Sequence, residues 1–297
     1  MLLNRRMTEG TIKIVLFIIA LSALVFLAGI VIVLISQGTP ILKFVSLKDF
    51  LFGMEWYPTH EEPEFGILPM IYGSLVVTLG ALILATPLGI MCALYIAEVA
   101  PKWLKETLKP IIELLASVPS VIYGLFGALF IAPIIQRLFN LPTGFTALSA
   151  AIVLGIMILP TITSIVEDAL TAIPKEYREA ALALGATKWE TMTKIVLPAA
   201  SSGITTGIIL GLGRAIGETM AVLMVAGGSA NIAFSLLKPV RTMTATIAAE
   251  MAETVVGSEH YYALFGIAIV LFFMTMIFNI IAEHISHRFH KKFTAVR

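Results

Sequence analysis

An arginine and a glutamate interrupt an otherwise uncharged stretch in the last third of this 297-residue chain. The run reads Gly203-x-x-x-Gly207-x-x-x-Gly211-x-Gly213-Arg214-Ala-Ile-Gly217-Glu218-Thr219. Taken as one helix at about 100° per residue with Gly203 at zero, it puts Arg214 near 20°, Gly207 near 40°, Glu218 near 60° and Gly211 near 80°. Both charges then extend a stripe of small residues, which marks a face packed on protein rather than on lipid. An ionised side chain at the middle of a bilayer costs from about 3 to over about 10 kcal/mol, so something must compensate it. A guanidinium fork suits a tetrahedral oxyanion, to which it donates two parallel hydrogen bonds. A nearby carboxylate would temper that attraction and could accept a proton from the anion. The expected pathway residues are Arg214, Glu218 and Thr219. The alternative is a structural pair in which Glu218 only neutralises Arg214. Arginine before glutamate at i,i+4 is the weaker order for a helical salt bridge, and buried pairs often cost more than they return.

Other candidate groups carry less. Glu283-His284-x-x-His287-x-x-His290 has metal-binding residue types. Its order is not H-E-x-x-H, however, and Arg288, Lys291 and Lys292 are interleaved, so a basic interfacial tail is expected and no metal. Glu250 and Glu253 are expected on a solvated helix face rather than as a catalytic pair. Cys92 is the single cysteine and lies in an apolar run, which excludes an intrachain disulfide and a cysteine metal site and leaves packing. There is no nucleophile elbow and no G-x-x-x-x-G-K-[ST] loop, so neither catalysis nor ATP binding of that kind is expected.

The elements that position these residues are membrane spans. Hydrophobic residues make up 58% of the chain and charged residues 13%, too few charges to clothe a soluble core. An all-α, polytopic fold with six transmembrane helices is expected, over roughly 12–35, 69–97, 111–135, 146–166, 199–226 and 261–284. The stretch from Ile14 to Ile35 is too long for a secretory h-region and no A-x-A site follows it, so it reads as a retained first span despite Arg5 and Arg6. With the N-terminus inside, the inner segments hold fourteen lysines and arginines and the outer ones five, Lys43, Lys48, Arg137, Lys238 and Arg241. Both termini are therefore expected in the cytoplasm, in a cell membrane, with lipid around the chain and no nucleic acid. The expected division is a first helix and outer loop over 1–68, a five-helix transmembrane domain over 69–285, and a basic tail over 286–297. The outer loop Ser36–Leu68 is acidic and long enough for a short helix or hairpin. That loop and the outer segment Gly227–His260 are plausible docking places for an external partner.

One cytoplasmic loop, 167–198, has strong local signals. Pro174 suits a first helical turn. Lys175–Leu184 is rich in alanine, leucine and glutamate. Gly185 is placed to end that helix, and Thr187 with Glu190 makes a capping box for the next. The small residues Ala180, Ala181 and Gly185 beside Glu179 permit close approach by a neighbouring surface, although an ordinary amphipathic loop helix would read the same.

Glu179-Ala180-Ala181, then Gly185, then Ile195-x-Leu197-Pro198, resembles the EAA motif of type I ABC importer permeases. The resemblance implies that this loop is the coupling helix seated in a groove of an ATPase subunit, through Glu179, Ala180, Ala181 and Gly185. The run Gly213–Val222 is similar to the PstC family of phosphate permeases, as are Trp56-Tyr-Pro58, Phe65-Gly66, Tyr72-Gly-Ser74 and Ile112–Gly124. That resemblance implies an importer of phosphate working by alternating access. Its other subunits would be a homologous PstA-like permease, two PstB-like ATPases that bind ATP and magnesium, and an extracytoplasmic PstS-like phosphate-binding protein. No cofactor is implied in this chain. Another oxyanion such as sulfate or molybdate, or a self-contained ion-coupled transporter, remains open on the residues alone.

Overall fold

In hydrocarbon every backbone N–H and C=O must bond within its own segment, so long apolar runs become helices. The computed structural model describes the backbone of residues 2–232 and 234–294 and the side chains of 12–232 and 234–284. The side chains of Arg5, Arg6, His287, Arg288, His290, Lys291, Lys292 and Arg297 lie outside the described residues. Helix α1 (Leu2–Gly38) leads to α2 (Leu47–Phe52) and a short antiparallel hairpin, β1 (Trp56–Tyr57) with β2 (Glu64–Phe65), Trp56 opposite Phe65. The loop over 36–68, expected on the outer side, thus holds both a helix and a hairpin. Then come α3 (Leu68–Leu94), continued by a π turn over Tyr95–Val99, and α4 (Lys102–Ser117). The next span is α5 (Ser120–Phe126) joined through a π turn to α6 (Ala132–Leu138), followed by α7 (Ala147–Thr171). After α7 come α8 (Lys175–Ala183) and α9 (Lys188–Thr191), then α10 (Leu197–Ala199) and α11 (Ser201–Ile216). The chain closes with α12 (Met220–Val225), α13 (Met243–Glu250) and α14 (Glu259–Thr294).

Among the described residues five helices are long and apolar enough to cross a membrane, and counting a pair bent by 66°, Lys188–Ala199 with Ser201–Ile216, as one broken span brings the number to six. The fold is all-α and polytopic, as the sequence predicts. Two span limits are corrected. The third span covers Ser120–Leu138 rather than 111–135, because Pro119 holds Val118 extended (φ −61°, ψ 131°) and separates off α4, which buries no residue. The fifth does not run unbroken from 199 to 226: its helix stops at Ile216.

Helix α7 is the hub, with buried residues from Ala147 to Leu170. Val77, Ala81 and Ala85 of α3 meet Leu154, Met157 and Ile158 of α7 in the main core. A second core lies under the loop between α1 and α3, where Phe50, Trp56 and Phe65 pack with Met243, Leu264 and Ile267. Helix α1 touches α14 near its end, where Gly38 lies against Ile269 and Phe265. Most of its apolar side chains from Ile12 onward are exposed, as a lipid-facing span requires.

Candidate functional site

Glycines decide how near α11 comes to α7. A Cβ built on Gly203 would lie 2.2 Å from the Ala169 Cβ, and one on Gly211 would lie 2.8 Å from Ile162. Nothing larger than hydrogen fits at Gly203, so the small-residue stripe is a helix–helix contact. That approach carries Arg214, in the last turn of α11, to the neighbouring helices. Its Nη1 donates to Thr161 Oγ1 of α7 at 3.0 Å, and its Nη2 donates to the Ala116 carbonyl of α4 at 3.0 Å. Ala116 sits in the final turn of α4, where carbonyls lack helical partners and the dipole favours a cation. The Tyr123 hydroxyl satisfies the adjacent Leu115 carbonyl at 2.8 Å.

The i,i+4 arrangement of Arg214 and Glu218 is a correction. Gly217 caps α11, and Glu218 and Thr219 are not helical. Glu218 Oε1 instead accepts the backbone N–H of Ala221 at 2.9 Å, capping α12, while its carbonyl accepts the Thr244 hydroxyl at 2.8 Å. Thr219 Oγ1 donates to the Gly217 carbonyl at 3.2 Å. The carboxylate found an orphan N–H of a new helix start before it could find the guanidinium. Among the described residues no carboxylate lies within 4.0 Å of Arg214. A half-buried cation is thus held by two neutral acceptors, with further fork donors to spare.

The loop between α7 and α11 folds by the local rules its sequence announces. Gly185 adopts φ +88°, Gly185 N donates to the Leu182 carbonyl at 3.0 Å, and Ala186 N donates to the Ala181 carbonyl at 3.1 Å. That is a Schellman turn. Thr187 and Glu190 form the capping box, in which the Thr187 side chain accepts the Glu190 N–H at 3.2 Å and the Glu190 carboxylate accepts the Thr187 N–H at 3.0 Å. Pro174 is the N-cap rather than the first helical residue. Glu179 and Ala180 are exposed, Ala181 is turned inward, and Tyr177, Leu182, Leu184 and Trp189 present apolar surface, Leu184 at 90% exposure.

Sequence reasoning missed several charged partners. Glu167, 2% exposed near the C-terminal end of α7, accepts from Lys105 at 2.9 Å, Lys109 at 2.8 Å and Thr171 at 2.7 Å. These ties fasten α4 to α7. Hydrogen bonds from Lys109 to Asp168 and then to Glu167 raise its pKa above the ordinary range. Glu98 pairs with Arg178 of α8. Glu250 is not on a solvated face: it accepts from Trp56 Nε1 at 3.0 Å and Arg241 at 2.6 Å and lies 2.9 Å from His260 Nε2, while Glu253 is exposed. The only available signal was an isolated carboxylate at a span end, as at Glu98 and Glu167; its partners lie about 60–80 residues away. Among the described residues no cluster of three or more histidines, cysteines or acids could hold a metal.

Residues 85–291 match the family described as binding-protein-dependent transport system inner membrane component. The probable ABC transporter permease protein YqgH of Bacillus subtilis is 39% identical over 276 residues, covering 91% of this chain and 89% of that protein. The phosphate transport system permease protein PstC of Mesorhizobium japonicum is 36% identical over 288 residues, covering 91% of this chain and 87% of that protein. Among solved structures, a bacterial alginate ABC transporter in complex with its pentasaccharide-bound periplasmic protein superimposes with TM-score 0.65 at 17% identity, over 92% of this chain and 94% of that one.

Proposed function

The chain belongs to the family of binding-protein-dependent transport system inner membrane components and is a permease subunit of an ABC importer, and from that premise we propose that it carries inorganic phosphate into the cytoplasm. The observation that carries the proposal is Arg214: a half-buried guanidinium whose partners are a hydroxyl and a carbonyl, with no carboxylate within 4.0 Å among the described residues. A charge left uncompensated in an apolar bundle is tolerated when its counter-ion passes through. The PstC relatives, phosphate permeases by name, supply the particular oxyanion.

In this reading an extracytoplasmic binding protein delivers phosphate to a pathway shared with a homologous PstA-like permease. Arg214 receives the anion through free fork donors, while Thr161 and Ala116 hold the guanidinium in place. Glu218 and Thr219 sit at the break where α11 ends, and the Glu218 carboxylate keeps the anion from settling too tightly. Two PstB-like ATPases bind ATP and magnesium and close on the exposed face of α8 and α9, around Glu179, Ala180 and Gly185, while Ala181 packs beneath them rather than on that face. Their closure alternates the pathway between the two sides, with both termini of this chain in the cytoplasm.

The test is ATP-dependent uptake of labelled phosphate by the reconstituted complex, with sulfate and molybdate as competitors. Phosphate uptake that those anions do not inhibit is expected. Arg214→Ala should abolish uptake while all subunits still co-purify. Loss of assembly in that variant would assign Arg214 to structure, and uptake by this chain without an ATPase would overturn the ATP-driven reading.

A further inference from the structure

The short helix α8 has almost nothing apolar to hold it against the spans. Ala181 is its only buried residue, while Tyr177 and Leu182 face outward. What fixes its direction is Arg178. Nε donates to Glu98 Oε1 at 3.0 Å and Oε2 at 3.2 Å, and Nη2 donates to Glu98 as well. Nη1 donates to the Ile173 carbonyl at 2.6 Å, and Nη2 also reaches the Leu170 carbonyl at 2.8 Å. Leu170 lies in the last turn of α7, where carbonyls lack helical partners, and Glu98 lies in the π turn that ends α3. One side chain therefore joins α8 to the inner ends of two spans. Both side chains are shielded, Arg178 at 20% and Glu98 at 11% exposure. An open pocket of about 380 Å³ adjoins them, lined also by Lys105 and Thr171, so this tie crosses a gap that packing does not fill.

We infer that the Arg178–Glu98 pair is the strut that makes α8 and the inner half of α3 move as one body, transmitting displacement of α8 to the spans. The inference rests on the transport reading above in taking α8 as the element the ATPase moves. A planar fork is needed because five acceptors at fixed angles are engaged at once, the fifth being the Pro174 carbonyl at 3.4 Å; an ammonium cannot satisfy them together. Arg178 and Glu98 are positioning residues, since neither reaches the cargo site around Arg214.

The experiment uses the assembled complex with Cys92→Ser, and spin labels at Glu176→Cys on α8 and Leu88→Cys on the exposed side of α3. With the strut intact, the label-to-label distance is expected to stay fixed between nucleotide-free and ATP-trapped states. With Glu98→Gln, the distance should change with nucleotide. Phosphate moved per ATP hydrolysed should fall by about tenfold, the factor that corresponds to losing one charge-assisted hydrogen bond. Glu98→Asp should restore most of the ratio and Arg178→Lys little of it. A distance that varies in the intact protein, or that stays fixed in Glu98→Gln, would overturn the strut, as would loss of the ATPase from the Glu98→Gln complex. If the complex moves no phosphate but the distances behave as stated, the cargo reading fails and the strut stands.

Discussion

Replacing Gly185 separates backbone conformation from contact in the loop between α8 and α9. The residue sits at φ +88°, and a Cβ built on it meets nothing within 4 Å. Gly185→Ala therefore introduces no clash inside this chain and loses no side-chain contact. What it adds is left-handed strain, about 1–2 kcal/mol for an L-residue with a Cβ. The strain falls on the two hydrogen bonds of the Schellman turn, Gly185 N to Leu182 O and Ala186 N to Ala181 O. By the usual conversion, about 1–2 kcal/mol is roughly a 5–30-fold change in a local equilibrium. Amide exchange in the assembled permease, measured without the ATPase, should accelerate by that factor at Ala186 and its neighbours. Gly185→Asn should accelerate it less, because asparagine enters the left-handed region more readily. Gly29→Ala serves as the control of opposite sign. Gly29 also has nothing within 4 Å but lies inside α1, where alanine is favoured by up to about 1 kcal/mol. If alanine and asparagine at 185 behave alike, or neither changes exchange, the glycine is not there for its dihedral angle and the conformational account is wrong.

Two other perturbations bear on the packing described above. Gly203→Ala should lower the thermal midpoint of the purified complex, because its Cβ would stand 2.2 Å from that of Ala169; overpacking of this kind costs about 1–3 kcal/mol. Ala169→Gly in the same chain should recover part of the loss, and an absence of rescue would place the strain elsewhere. Glu250→Gln should loosen the outer loop by about 1.5–3 kcal/mol through weakened bonds from Arg241, His260 and Trp56. Faster amide exchange in the hairpin Trp56–Phe65 is the expected readout; unchanged exchange there would show that Glu250 is not its anchor.

The sequence by itself determined what depends on neighbours within a turn or two. Gly185, Thr187 and Glu190 announce a Schellman turn and a capping box, and both form, because their donors and acceptors lie at most five residues apart. Six spans and the small-residue stripe on α11 follow equally from apolar length and spacing. Tertiary structure alone decided where the charges ended up. Glu218 reads as Arg214's helical partner only while the helix is assumed to continue. The helix closes at Gly217, and the carboxylate then serves the first turn of α12. Arg214 turned to Thr161 and Ala116, 53 and 98 residues away. The lysine partners of Glu167 and the arginine partner of Glu98 were illegible for the same reason, lying about 60–80 residues away: a buried charge takes whichever partner the packing of distant helices brings within reach.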